Sequence, residues 1–198
     1  MVEFFHAYDL RGKYPEQISE KEAEKLGKAY GTYVDSNILV ARDGRTHSPK
    51  ITQAFIQGIN STGTDVTDIG MVPSPVLYFA ADKLGYDNGA VVTASHNPSE
   101  YTGFKYTLDE GLAMSRENGM KEIEEIYEEE SFSTGEGSVE EKDIKEAYID
   151  AVSSKFDANI DVAINYGNGV TSVVAPEILE KIGCEVKNVN EEVDGEFP

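Results

Sequence analysis

Short apolar runs in this chain alternate with stretches of helical spacing, and most runs give way to a polar loop. Phe4 and Phe5 open an apolar segment that turns polar at Asp9, and Gly12 lets the chain change direction sharply. This pattern predicts a strand entering a functional loop. Ser19-Glu20-Lys21-Glu22 has the form of a capping box, and Ala23, Leu26, Tyr30, Tyr33 and Val34 follow on one face, which predicts a helix over 19–34. Ile38-Leu39-Val40-Ala41 is a branched apolar strand running into Arg42-Asp43-Gly44-Arg45. Ser48-Pro49 and Ser74-Pro75 each place proline at a helix start. The first begins a helix with Ile51, Ala54, Phe55 and Ile59 inward; the second covers 76–84 and stops at Gly85. A strand over 65–69 lies between them, and another begins at Gly89.

Residues 103–108 read as a strand closed by the turn Asp109-Glu110-Gly111. An acidic helix over 115–129 turns Met120, Ile123, Ile126 and Tyr127 inward. A Gly/Ser-rich connector over 131–138 leads to a helix marked by Ile144, Tyr148, Ile149 and Val152. The alternation of strands and helices predicts an α/β fold: a mixed, mostly parallel sheet sandwiched between helices. From Ile160 the pattern restarts as one βαβ unit: strand 160–164, turn Gly167-Asn168-Gly169, helix 173–182 and strand 184–189. The chain is therefore divided into a domain over 1–155 and an incomplete second α/β domain over 156–198. Units below about 40 residues seldom hold a core alone. Self-association or further domains are expected to cover this second unit.

Charge narrows the partners. With 37 acidic against 17 basic residues and a net charge of −20, the chain repels phosphate backbones and anionic lipid, so neither nucleic acid nor a membrane surface is expected as partner. The same excess suits a high-salt cytoplasm, where repulsion is screened over roughly 3 Å at 1 M salt. No stretch approaches the ~18 consecutive apolar residues of a membrane helix. The start lacks a signal-peptide pattern, and a cytoplasmic location is expected. Cys184 is the one cysteine, which excludes an internal disulfide or a cysteine-built zinc site and suits packing at the start of a strand.

The stretch GAVVTASHNPSEYTGFK, residues 89–105, carries the chemistry. A buried strand ends at Thr93-Ala94 and delivers Ser95-His96-Asn97-Pro98 into a loop, at the strand end where open α/β sheets bind ligands. Adjacent side chains on an extended chain point opposite ways, so Ser95 and His96 are not expected to form a hydrolase pair, and no GxSxG elbow is present. The cations available to converge on the Ser95 hydroxyl are Arg11, Lys105 and Arg42 or Arg45. Such a cluster suits phosphoryl transfer, where positioning and charge neutralisation do most of the catalysis.

Thr93-Ala94-Ser95-His96-Asn97-Pro98, followed by Tyr101-Thr102-Gly103-Phe104-Lys105, resembles the phosphoserine signature of the α-D-phosphohexomutases, the phosphomannomutase/phosphoglucomutase family. Tyr8-Asp9-Leu10-Arg11-Gly12, Arg42-Asp43-Gly44-Arg45, Val72-Pro73-Ser74-Pro75, Gly167-Asn168-Gly169 and Asp194-Gly195-Glu196-Phe197-Pro198 resemble further segments in the same order. The resemblance implies that Ser95 carries a phosphoryl group and exchanges it with hexose 1- or 6-phosphates through a hexose 1,6-bisphosphate. It further implies catalytic roles for His96, Arg11 and Lys105, substrate contact by Tyr8 and Asn97, and a Mg²⁺ ion touching Ser95 through its phosphate. Departures from the pattern are Thr102 for asparagine, Ala41 for glycine and Asn165-Tyr166 for Asp-Cys. The family's aspartate-rich magnesium loop, sugar-selecting loop and later phosphate-binding loop have no counterpart in these 198 residues. The chain alone is accordingly expected to be inactive or very slow. A non-catalytic phosphosugar- or partner-binding module on the same fold is the alternative.

Overall fold

The computed structural model describes residues 2–109 and 111–198, so the predicted turn at Asp109-Glu110-Gly111 lies partly outside the described residues. In chain order the elements are β1 (Leu10–Lys13), α1 (Glu20–Tyr33), β2 (Ile38–Arg42), α2 (Ser48–Asn60), β3 (Val66–Met71), α3 (Ser74–Leu84), β4 (Asn88–Val92), β5 (Tyr101–Leu108) and β6 (Leu112–Ala113). Then come α4 (Lys121–Glu129), β7 (Val139–Glu141), α5 (Lys145–Ser153), β8 (Asp161–Asn165), α6 (Ala175–Lys181) and β9 (Glu185–Val189).

The main sheet runs β1-β5-β4-β2-β3-β7, with β6 on β5. The pairs β4–β2, β2–β3 and β3–β7 are parallel, whereas β5 is antiparallel to β1, β4 and β6. This is the mixed, mostly parallel sheet the alternation predicts. Its two faces build separate cores. Ile38, Val40, Ala90, Val92, Phe104 and Tyr106 meet α1, α2 and α4 on one side; Leu39, Ala41 and Val91 meet α3 and α5 on the other. The first core centres on stacked rings, with Phe55 4.7 Å from Phe104 and Tyr30 4.2 Å from Tyr106 between centroids. The second unit is a two-stranded parallel sheet, β8–β9, and Val174 just before α6 is buried in the second core of the main sheet. Cys184 is buried immediately before β9. No helix among the described residues is long and apolar enough to cross a membrane.

Several boundaries differ from the sequence expectation. The first strand is not the apolar run Phe4-Phe5 but the supposed loop, Leu10–Lys13. Phe4 and Phe5 fold back in a turn, with Arg11 N–H donating to Phe4 O at 2.9 Å, because both rings reach the core beside Tyr127. Ser48 does not cap α2; its hydroxyl donates to Asp43 Oδ1 at 2.5 Å. The capping box at Ser19 is half formed, since Glu22 turns its carboxylate to the Tyr127 hydroxyl. The acidic helix over 115–129 is broken at Gly119, where φ is +130°, so α4 starts at Lys121. Finally, the end of the Gly/Ser-rich connector runs into an edge strand, β7, which pairs with β3.

Candidate active site

The site lies at one end of the sheet, where β4 ends and β5 begins. Thr93 N–H donates to Gly103 O at 2.9 Å, and Arg11 of β1 pairs with Gly103 from the other side. Gly103 is thus clasped between two backbones: a Cβ there would stand 2.0 Å from Leu10 O and 3.1 Å from Thr93 O. Only glycine permits that approach. Side chains alternate along β1 and β5, and Leu10, Phe104 and Tyr106 take the face toward the first core. Arg11, Lys13 and Lys105 therefore share the opposite face of these strands, which contributes nothing to the second core. In an acidic chain this is a local concentration of positive charge.

Arg11 does not float free. Its Nε and Nη2 donate to Asp9 Oδ2 at 2.9 and 2.5 Å, which fixes the direction of the guanidinium while Asp9 is buried. Lys105 makes no ion pair or hydrogen bond among the described residues, so its ammonium is available. Lys13 Nζ lies 5.7 Å from the centre of the Tyr101 ring. Tyr8, 71% exposed, stands on the turn closed by His6 N–H donating to Asp9 O.

Ser95 departs from the extended backbone on which the sequence reading rested. Its φ of +57° is left-handed, an uncommon state for a residue with a side chain and one that costs of order 1–3 kcal/mol. Its N–H donates to Thr93 Oγ1 at 3.0 Å, which satisfies the turned backbone. Ser95 and His96 do not point apart: Ser95 Oγ lies 3.2 Å from His96 Nδ1. Asn97 is half-buried, and its N–H donates to Ala94 O in the same tight loop.

The structure separates the two arginines offered as alternatives for the serine hydroxyl. Arg42 Nη1 donates to Asp43 O at 3.3 Å. Arg45 is buried and is spent on Asp43 and on backbone carbonyls of the serine loop. Beside it His47, stacked on Tyr14 at 4.5 Å, places Nε2 3.0 Å from Tyr101 O; burial holds its pKa below the ordinary histidine value. Sequence reasoning did not reach Asp9, His47 or the internal role of Arg45. For Asp9 the i, i+2 spacing to Arg11 was an available signal; for the other two there was none without the loop's path.

A magnesium ion requires near-octahedral oxygen ligands, usually including carboxylates. Among the described residues no group of three His, Cys, Asp or Glu side chains is placed to hold a metal. The described residues do not build such a site.

The arrangement defines an α/β/α sandwich whose sheet end presents a left-handed serine in the loop after β4, with Arg11 and Lys105 on one face of the neighbouring strands. The sequence profile of phosphoglucomutase/phosphomannomutase, alpha/beta/alpha domain I, matches residues 2–134. The chain belongs to the phosphoglucomutase/phosphomannomutase family. It is 36% identical over 200 residues to the phosphomannomutase/phosphoglucomutase of Pseudomonas aeruginosa PAO1, covering 98% of this chain and 43% of that protein. A probable phosphoglucosamine mutase of Methanobrevibacter smithii is also 36% identical, over 203 residues, with 98% and 45% covered. Among solved structures, a phosphoglucomutase/phosphomannomutase family protein from Burkholderia thailandensis superposes with a TM-score of 0.92 at 33% identity, over 100% of this chain and 46% of that one. The chain thus spans under half the length of the curated relatives it matches.

Proposed function

We propose that Ser95 is a phosphoryl carrier and that the chain is the catalytic-serine portion of a phosphohexomutase, a cytoplasmic enzyme interconverting hexose 1- and 6-phosphates. One observation carries the reading. A serine hydroxyl is held out on a left-handed residue at the end of β4, beside the strand face that holds Arg11 and Lys105.

In the half-reaction, the ester bond between a sugar oxygen and phosphorus in hexose 1,6-bisphosphate breaks and a Ser95 Oγ–P bond forms. The proton leaves Oγ and ends on the sugar oxygen. Serine is a weak nucleophile without a base. In the tautomer with Nε2 protonated, His96 Nδ1 is an acceptor for that proton at 3.2 Å. Arg11, aimed by Asp9, and Lys105 neutralise charge on the transferring group. Tyr8 and Asn97 contact the sugar phosphate. In this reading residues 1–155 form the serine domain and 156–198 the start of a second one. The full cycle belongs to a protein of the relatives' length, and any Mg²⁺ bound to the phosphoserine takes its remaining ligands from outside these residues.

The test is intact-mass analysis after incubation with glucose or mannose 1,6-bisphosphate. The expected result is one added phosphoryl group, mapped to Ser95 and absent in Ser95→Ala, with little steady-state turnover. Sugar-phosphate binding that survives Ser95→Ala with no phosphorylation of the parent would overturn the reading in favour of a binding module.

A further inference from the structure

Arg45 is the most enclosed charged residue among those described, 2% exposed, and every donor it has is used. A guanidinium carries five N–H donors in a rigid plane. Here Nε donates to Asp43 Oδ2 at 3.1 Å. Nη1 donates to Pro98 O at 2.5 Å and Tyr101 O at 3.2 Å, and Nη2 to Asn97 O at 2.7 Å and Ser95 O at 3.3 Å. The loop over 95–101 is therefore wrapped around one cation that takes four of its carbonyls; Tyr101 O also lies 3.0 Å from His47 Nε2, and Pro98 O also accepts from the Tyr101 N–H. Asp43 balances the charge and is itself fixed by Ser48 Oγ and the Arg45 N–H.

A second observation, from the far end of the chain, converges on the same side chain. The segment over 193–197 lies in backbone contact with residues 44–46: a Cβ on Gly195 would stand 2.3 Å from Thr46 N, and one on Gly44 would stand 2.3 Å from Val193 Cγ1. Thr46 Oγ1 donates to Glu196 Oε1 at 3.0 Å. Phe197 holds the left-handed φ of +51°, which is costly for a bulky residue. Its ring centre lies 5.1 Å from Arg45 Cζ, within the range of a cation–π contact.

We infer that Arg45 and Phe197 are positioning residues for Ser95: Arg45 sets the path of the serine loop from inside, and the 193–197 segment, through the Phe197 ring, holds Arg45 in place. The inference rests on Ser95 being the reacting group, but its geometric half stands independently. Lysine cannot replace Arg45, because a single ammonium has three donors and no planar fork to span four carbonyls and a carboxylate. A segment far from Ser95 in sequence thereby becomes part of the support of the reacting serine.

The experiment uses the 198-residue chain as parent, with Arg45→Lys, Phe197→Leu and Phe197→Tyr. Amide hydrogen exchange, read residue by residue by NMR, reports the loop directly through the Asn97 and Tyr101 N–H groups, which donate to Ala94 O and Pro98 O. In Arg45→Lys these amides are expected to exchange at least about tenfold faster relative to those of β2 and β4, because charge-assisted bonds to the loop are lost. Phe197→Leu should give a few-fold rise, on the order of the weaker cation–π contact, and Phe197→Tyr should restore parent behaviour because it keeps a ring. In single-turnover phosphorylation by hexose 1,6-bisphosphate, the rate constant should fall in the same order with the half-saturating concentration unchanged. A loss of folded protein alone would lower the amplitude and leave the rate constant intact.

Loop exchange in Arg45→Lys equal to the parent's would overturn the role of Arg45, and equal exchange in Phe197→Leu would overturn that of the tail. Should Arg45→Lys fail to fold, the two Phe197 variants decide. Should the parent never become phosphorylated, the phosphoserine reading fails while the exchange data still judge the loop.

Discussion

Replacing Gly103 by alanine tests the claim that the sheet end is built by a backbone clasp. The added methyl would sit 2.0 Å from Leu10 O, 3.0 Å from Leu10 C and 3.1 Å from Thr93 O. Non-bonded carbon contacts settle near 3.5–4.0 Å, so β1 must move by more than about 1 Å from β5. Neither neighbour is a pliable side chain end. Overpacking of this kind costs about 3 kcal/mol, near the upper end of the usual range. For a chain of this size each kcal/mol lowers Tm by about 2–4 °C, which gives a fall of about 6–12 °C. Differential scanning calorimetry measures it, with Gly169→Ala as control because a Cβ there meets only Tyr166 O at 3.2 Å. The same variant should slow phosphorylation of Ser95, since Gly103 joins Thr93 to Arg11. A Gly103→Ala protein melting within about 2 °C of the parent would refute the crowding argument, because the sheet would have to yield at almost no cost.

Two further outcomes follow from the packing. Burial holds the His47 pKa below its unfolded value of about 6.5, so the unfolded chain binds the extra proton first and stability falls as pH drops below about 6.5, until His47 in the folded state is protonated too. His47→Gln should flatten the slope of urea-derived stability between about pH 6.5 and 5.5, and an unchanged slope would assign it to other groups. Phe55→Ala opens a hole between Tyr30 and Phe104, 6.2 and 4.7 Å away, and should cost about 3–5 kcal/mol by urea titration; a loss under about 1 kcal/mol would mean that α2 collapses into the space.

The fold was legible where burial and chain direction change together. Ile38-Leu39-Val40-Ala41 runs into a charged loop, and Ser-Pro steps start α2 and α3. It was illegible where tertiary contacts decide. Phe4 and Phe5 read as strand by composition, yet they pack better as a turn against Tyr127, and pairing passes to Leu10–Lys13 because β5 supplies the partner. The Val139–Glu141 strand is exposed along its length, so no apolar alternation marks it; it pairs because the β3 edge is open beside it.

The same division runs through the site. Residue types named Ser95, Arg11 and Lys105, because strand order brings β1, β5 and β4 side by side. Periodicity failed at Ser95 itself, since the rule that neighbours point apart holds for an extended chain and φ there is +57°. A left-handed residue in the middle of a polar loop must be stabilised from outside itself, and its own sequence neighbours supply only the Thr93 bond. The rest comes from Arg45, fifty positions earlier, whose guanidinium holds the Ser95 carbonyl and three others in the loop. Its charge made it a candidate for the substrate; its burial shows that the charge serves the backbone. If the site holds phosphoryl groups, as proposed, these two uses of arginine must be kept apart, because a guanidinium whose five donors are already occupied has none left for an anion. Arg11 pairs through only part of its donor set, and Lys105 through none among the described residues, so on the proposed reading the β1–β5 side of the loop can offer positive charge to a phosphoryl group at Ser95, which Arg45 cannot.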